Sequence, residues 1–366
     1  MSIESIVISI DKEIDTSLSF ESTETLNYTK FEDVAISTQT IISVSNLKFN
    51  LNLMYQYLPI TDYVIVKKKR GRKKKVEVVN PNQNIAPGSI ISLQNKTNIR
   101  GSILKESKKE NKTYFLNSIT IVMVLENGKL INSKLSQNGK LQITGCKNMN
   151  QCVEMIRYLF KHIKEIEVQI GQSMFSLKYG SKSTNRNPTF IFNVVMKNID
   201  FKVKFNINRE KLNQFMNENT EFCSLFESSV NTGVNIKIKS NVSYENNLDS
   251  IEIMPDLSVQ KNIVPFSYYT SYLDEKEKKK ENKKEKYHTF LVFHSGSIIQ
   301  SGSGPEMCDV YTKFVTILNK HRKEFEEILN TNNKQDIIKM QSLYNLKPGK
   351  KKITRHKNEL DLSNVK

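Results

Sequence analysis

Asn46-Leu47-Lys48-Phe49-Asn50-Leu51-Asn52-Leu53 has a counterpart in Asn198-Ile199-Asp200-Phe201-Lys202-Val203-Lys204-Phe205. Both read Asn, Leu or Ile, any residue, Phe, any residue, Leu or Val, any residue, Leu or Phe. Apolar side chains at every second position argue a half-buried strand. A second signal follows each segment. Gly139 and Gly145 bracket a short apolar strand ahead of an amphipathic helix, and Gly296 and Gly302 do the same. From Asn46 to Gly139 is 93 residues, and from Asn198 to Gly296 is 98. Two signals in one order at nearly one separation predict a tandem duplication, each copy a sheet edged by a helix.

The first copy begins near Ile41, and Leu53, Met54, Tyr57 and Leu58 suggest a short helix ending at Pro59. A basic loop over 67–88 follows. Then comes a meander, with strands expected over 119–125, 129–135 and 140–144. Asn127-Gly128 and Asn138-Gly139 mark its corners, the strongest short hairpin signal. A helix is expected from Asn148 to about Glu165, with Met149, Cys152, Val153, Ile156, Leu159, Phe160 and Ile163 on one face and Asn148 as its cap. The strand over 119–125 is apolar on both faces. One face packs on helices, and the other must meet something apolar or stay an open patch able to receive a nucleic-acid groove.

The second copy repeats this plan, with a short helix at Leu212, Phe215 and Met216 and strands over 235–239, 288–293 and 297–301. Its last helix starts at Pro305, a favoured first position. An insertion over 241–286 sits where the first copy has only Asn127-Gly128. Its stretch 274–286 carries seven lysines and five carboxylates and reads as a solvated loop.

The organisation expected is an acidic flexible arm over 1–38, a first repeat over 40–165, a second over 190–330, and a basic tail over 331–366. The arm holds eight carboxylates against two lysines, and folding back on the basic surface as a nucleic-acid mimic is one role for it.

At 366 residues the length fits about two domains. A net charge of +17 and a pI near 9.4 point to a polyanion, with nucleic acid ahead of an anionic membrane because no basic amphipathic helix carries exposed aromatics. Four cysteines without a Cys-x-x-Cys pair read as buried apolar residues in a reducing compartment. The N-terminus lacks the basic start of a signal peptide, and no apolar run is long enough for a bilayer, so a soluble, non-secreted protein is expected. The five histidines have no metal-ligand spacing, and no Walker loop or nucleophile elbow occurs. Gly302-Ser303-Gly304 fits a strand-to-helix turn better than a phosphate loop. No catalysis and no cofactor are expected.

Gly139-Lys140-Leu141-Gln142-Ile143-Thr144-Gly145-Cys146-Lys147 resembles the repeat signature of the TATA-box-binding protein family, Gly-Lys-apolar-x-x-Thr-Gly-Ala-Lys, with Cys in place of Ala. Val203-Lys204-Phe205-Asn206-Ile207, with Glu210 and Leu212, is similar to the family's second repeat. The corresponding glycine motif from Gly296 is degenerate. The resemblance implies an α+β fold, a tandem pseudo-repeat of curved antiparallel sheet with helices on the convex side. It forms a saddle with internal pseudo-two-fold symmetry, expected to be a monomer. It implies a transcription initiation factor that binds and bends A·T-rich double-stranded DNA through the minor groove and recruits RNA polymerase or general initiation factors. The divergence and insertions suggest a large eukaryotic DNA virus, acting in a nucleus or a cytoplasmic virus factory.

The family kinks DNA with two phenylalanines per repeat, apolar wedges that replace lost base stacking. The resemblance places one at Phe293, three residues before the hairpin glycine, where the first copy has Ser136 instead. It places the others at Phe226 and, on a looser alignment, Phe115. Core packing is the alternative for each. A central Asn in each repeat reads minor-groove acceptors, which favours A·T. Asn46 and Asn198 are the candidates, although aligning on Val203-Lys204-Phe205 puts Met196 there. Lys140 and Lys147 of the glycine motif are candidate phosphate contacts. In the run 67–75, Arg70-Gly71-Arg72 resembles the core of an AT-hook, with Lys73 where a Pro is usual. A phosphate clamp or an import signal are its other readings. Two further functions fit a duplicated basic sheet protein: a sliding-clamp-like replication accessory, which predicts a closed ring, and a DNA-packaging protein without sequence choice.

Overall fold

The computed structural model describes residues 29–65, 81–104, 116–178, 187–229, 232–240, 247–283 and 285–327. The strands are β1 (Ile36–Ser45), β2 (Leu47–Phe49), β3 (Ile90–Asn95), β4 (Asn98–Gly101), β5 (Ser118–Val124), β6 (Leu130–Ser136), β7 (Leu141–Cys146), β8 (Phe175–Leu177), β9 (Thr189–Lys202), β10 (Cys223–Leu225), β11 (Val234–Lys239), β12 (Asn247–Ile253), β13 (Val259–Pro265), β14 (Tyr287–Val292) and β15 (Ser297–Gly302). The α-helices are α1 (Leu51–Tyr57), α2 (Met149–Ile170), α3 (Arg209–Asn219), α4 (Phe266–Ser271), α5 (Glu275–Lys283), α6 (Met307–Lys320) and α7 (Arg322–Phe325). The fold is α+β. Thirteen strands form one sheet in the order β10-β11-β14-β15-β9-β1-β7-β6-β5-β3-β4, with β12 and β13 branching beside β9. Every named pairing in it is antiparallel.

Strand pleating sends successive side chains to opposite faces. One face carries α1, α2, α3, α6 and α7. Ile41, Ile121, Ile131 and Ile143 bury there with Cys152, Ile156, Leu159, Phe160 and Ile163 of α2. Asn148 caps α2, its Oδ1 accepting from Gln151 N at 3.1 Å, and Gly171 ends it at φ +64°. A second core joins Ile199, Phe201, Ile236, Phe290 and Ile298 to Leu212, Met216, Tyr311 and Phe314 of α3 and α6. Each such buried side chain stabilises by about 1.5–3 kcal/mol. The Phe290 and Phe314 rings stack with centroids 3.8 Å apart.

Both meander hairpins turn alike. Ser136 N donates to Lys140 O at 2.8 Å and Gly139 N to Ser136 O at 3.0 Å, while Phe293 N donates to Ser297 O at 2.9 Å and Gly296 N to Phe293 O at 3.0 Å. Gly139 (φ +78°) and Gly296 (φ +75°) each lie against backbone. A Cβ would stand 2.3 Å from Leu47 O in the first and 2.5 and 2.7 Å from Phe205 O and Val203 O in the second.

Those contacts correct the opening alignment. Leu47 and Phe205, not Leu47 and Ile199, hold corresponding places against the two glycines, and Phe49 N to Gln137 O and Ile207 N to His294 O repeat that correspondence two residues on. Asn46 lies at a break between β1 and β2, while Asn198 lies inside the 14-residue β9. Leu51 and Leu53 are helical because the Asn50 side chain caps α1, accepting from Leu53 N at 3.2 Å. Part of the stretch expected as a flexible arm packs on the second half. Phe31 stacks near Tyr311 at 5.4 Å, and β1 starts at Ile36. The insertion is also built rather than a loop: β12 pairs with β9, and β13, α4 and α5 follow.

Candidate nucleic-acid interface

The face opposite the helices differs between the two halves of the sheet. In the half from β10 to β9, the registers define two lateral rows. Leu225, Asn235, Leu291, Ile299 and Asp200 are successive partners across five strands, and so are Cys223, Lys237, Thr289, Ser301 and Asn198, continuing to Thr38 on β1. Their neighbours Ile236, Phe290, Ile298 and Ile199 point into the helix-side core, so both rows face away from it. Leu225 is 73% exposed and Met196 39% exposed, while Leu291, Phe293 and Ile299 are half-buried. This surface sets a rung with three apolar members, Leu225, Leu291 and Ile299, and with Asn235 and the exposed Asp200, beside a rung of Cys, Lys, Thr, Ser and Asn. The first suits unstacked bases, and the second suits groove edges and phosphates.

In the half from β1 to β3, the same face is partly roofed by the chain itself. Val122 and Val124 of β5 are covered by Tyr63, Ile85 and Leu104, which closes the apolar patch that the sequence left open to a groove. Val44 and Ile191 are covered by Tyr269 and Leu273 from the insertion. Burial raises the Tyr269 hydroxyl above its ordinary pKa. Between these roofs the face is polar. Ile42, Gln142, Lys134 and Thr120 are successive register partners, as are Thr40, Thr144 and Asn132. A cleft of about 600 Å³ opens there, lined by Lys48, Leu116, Lys134, Ser136, Lys140 and Lys178 together with Glu277 of α5. Lys140 Nζ lies 2.8 Å from Glu277 Oε1. Lys178 Nζ donates to Ser45 O at 2.8 Å, and burial holds its pKa below the ordinary lysine value.

The candidate residues fall out as follows. Phe293 stands at the hairpin of the open half, with Ser136 in the equivalent turn of the roofed half. Phe226 packs toward the second core under the Arg209 guanidinium, 4.9 Å from the ring centroid. Strand alternation gives the open position to Leu225, one residue earlier. Phe226 thus sits as a neighbour of the core and Leu225 on the open face, a position that the sequence reading did not single out. Asn46 is corrected. It is 1% exposed, its Nδ2 donates to Asn187 O and its Oδ1 accepts from Thr189 N, each at 2.9 Å. It clamps β1 to the start of β9, away from any groove. Asn198 is on the open face, half-buried in the polar rung, with Oδ1 lacking a partner. Met196 pairs with Thr40 at the centre of the sheet. Lys140 lines the cleft, and Lys147 is exposed beside Lys129, whose pKa burial and Lys147 lower. Phe115, Arg70 and Arg72 lie outside the described residues, as do residues 1–28 of the arm and the basic tail.

Among the described residues no cluster of three His, Cys, Asp or Glu could hold a metal ion, and no helix is long and apolar enough to cross a membrane.

No protein-family profile matches the sequence. The chain is 28% identical over 233 residues to the uncharacterised protein 335L of Invertebrate iridescent virus 6, covering 59% of this chain and 62% of that one. It is 32% identical over 115 residues to a TATA-box-binding protein-like protein of Acanthamoeba polyphaga mimivirus, covering 30% of each. The matched segments thus span less than two thirds of either relative. The solved structure of Methanococcus jannaschii TBP aligns with 78% of this chain and 98% of its own at 11% identity and a TM-score of 0.37. The chain is similar to proteins of two large DNA viruses, one of them named for the family whose motifs the sequence resembles.

Proposed function

We propose that this chain is a TATA-box-binding-protein-like DNA-binding factor that seats A·T-rich duplex on its open sheet face, bends it through the minor groove and presents its helices to the transcription machinery. The observation that carries this reading is the pair of rungs on the open half: Leu225, Leu291 and Ile299, flanked by Phe293 and sharing their row with Asn235 and, at its inner end, Asp200, beside Lys237, Thr289, Ser301 and Asn198. An apolar rung can replace stacking lost at a kinked step. A·T pairs offer only acceptors in the minor groove, which hydroxyl and amide donors satisfy, while the amino group of G·C leaves an unpaired donor there. The net charge of +17 supplies the phosphate attraction, and the reading contains no catalytic step.

The matching order of elements in the two halves of the sheet supports it. From the β9–β1 pair outward, each half runs first strand, glycine-motif strand, hairpin strand, then outer strands, and each sets one long helix behind its sheet. The two hairpins share their hydrogen bonds, and Asn50 and Asn208 cap corresponding short helices. The halves are unequal where it matters: the open one holds Phe293, and the roofed one holds Ser136 and Leu116. A bend centred on the open half follows. Direct titration of A·T-rich and G·C-rich duplexes tests the reading. Selective, salt-dependent binding to the first supports it, and equal binding leaves only a basic scaffold.

A further inference from the structure

Resting on that reading, we infer that α5 is a built-in phosphate mimic, a latch that occupies the DNA-backbone seat of the roofed half in the free protein and is displaced by duplex. Helix α5 reads Glu-Lys-Glu-Lys-Lys-Lys-Glu-Asn-Lys and has no apolar side chain with which to anchor itself. Asp274 caps it, accepting from Glu277 N at 2.7 Å. Glu277 and Glu281, four residues apart, are half-buried on the sheet side. Lys278 is half-buried as well, and Glu275, Lys276, Lys279 and Lys280 are exposed. Glu277 reaches into the cleft, where Lys48, Lys134, Lys140 and Lys178 converge, and pairs with Lys140. A carboxylate held among converging lysines on a face suited to DNA stands where a phosphate would stand.

The anchoring differs along the insertion. Tyr269 and Leu273 are 3% and 7% exposed over Val44 and Ile191, so α4 is fixed by apolar contact. Helix α5 follows directly and is held by charge. Helix α5 is joined to α4 through residues 273–274 and to β14 at Tyr287 just past its other end, so release lets it draw back from the cleft between these two tethers while α4 stays in place. Duplex phosphates take the lysines, and the outer lysines of α5 become free to follow the backbone.

The test compares Glu277→Gln with Glu275→Gln in the full chain. Both remove one negative charge from α5. Glu275, 78% exposed, faces solvent and pairs with Lys278, so it controls for net charge. Glu277→Gln is expected to tighten A·T-rich duplex binding by about two- to fivefold at low salt, the range of a partly exposed ion pair, and the gain should shrink as salt rises. Glu275→Gln is expected to give a smaller change. In hydrogen exchange, amides of 275–283 should lose protection when duplex is added, while those of β12 and β13 keep theirs. Equal affinity of wild type and Glu277→Gln, with α5 equally protected in the complex, would overturn the latch and leave DNA binding standing. Absence of duplex binding in wild type and both variants would sink the proposed function, and the latch with it.

Discussion

Replacing Leu225 and Phe226 one at a time separates the interface from the core, because the two neighbours face opposite ways. Leu225 is 73% exposed and its register partner is Asn235. Leu225→Ala should change folding stability by no more than about 0.5 kcal/mol, as for surface sites elsewhere. Phe226 is half-buried against the second core and under Arg209. A fully buried Phe→Ala costs about 3–5 kcal/mol, so half burial implies about 2, with the cation–π contact adding about 0.5–1. DNA binding should rank them the other way. Burying the exposed three-quarters of a leucine against a base step is worth about 1–2 kcal/mol, so Leu225→Ala should raise Kd about five- to thirtyfold. Urea unfolding followed by circular dichroism gives the stability arm, and fluorescence anisotropy on an A·T-rich duplex gives the binding arm. If Phe226→Ala lost binding at unchanged stability while Leu225→Ala bound like wild type, the strand parity argued above would be wrong.

Other outcomes follow from the same geometry. Gly296→Ala should lower unfolding free energy by about 2–3 kcal/mol, since a left-handed backbone costs about 1–2 and the new Cβ meets two carbonyl oxygens. Gly128→Ala, at positive φ with open space around it, should cost only the backbone part, and denaturant midpoints of the pair check this. Asn46→Ala should lower Tm by breaking the clamp to residues 187 and 189 yet leave the ratio of A·T to G·C affinity unchanged in a competition assay. Cys223 is exposed on the polar rung, whereas Cys146 and Cys152 are buried, and the hydrogen bond to Cys146, followed by burial, raises the Cys152 thiol. Alkylation read by mass spectrometry should therefore label Cys223 in the native protein and spare the buried pair, and bound duplex should protect Cys223.

Much of this architecture was legible from local pattern. Gly139 announced its hairpin, and the spacing of Ile156, Leu159, Phe160 and Ile163 announced α2, because turn chemistry and helical period are short-range signals. The helix runs to Ile170 rather than Glu165, ending where Gly171 supplies the left-handed cap. The octapeptide at Asn46 misled for a physical reason. Over eight residues, apolar alternation and one turn of amphipathic helix look alike, and the Asn50 cap decided between them. Phe226 came from the motif resemblance, which says nothing of strand parity, whereas the pairing of Ser224 with Ile236 of the core puts Leu225 on the open face. The insertion was illegible in a different way. Nothing in a run of lysines and glutamates says that Glu277 will sit 2.8 Å from Lys140, 137 residues away. Only the pairing of β12 with β9 delivers it there.

The account stands or falls on whether the open face bends DNA. Energy transfer between dyes at the two ends of a short A·T-rich duplex, with a G·C-rich control and a salt series, measures this directly. The account predicts a shortened end-to-end distance on the A·T-rich duplex, abolished by combining Leu225→Ala with Phe293→Ala. An unchanged distance on both duplexes, at protein concentrations that saturate binding, would contradict it.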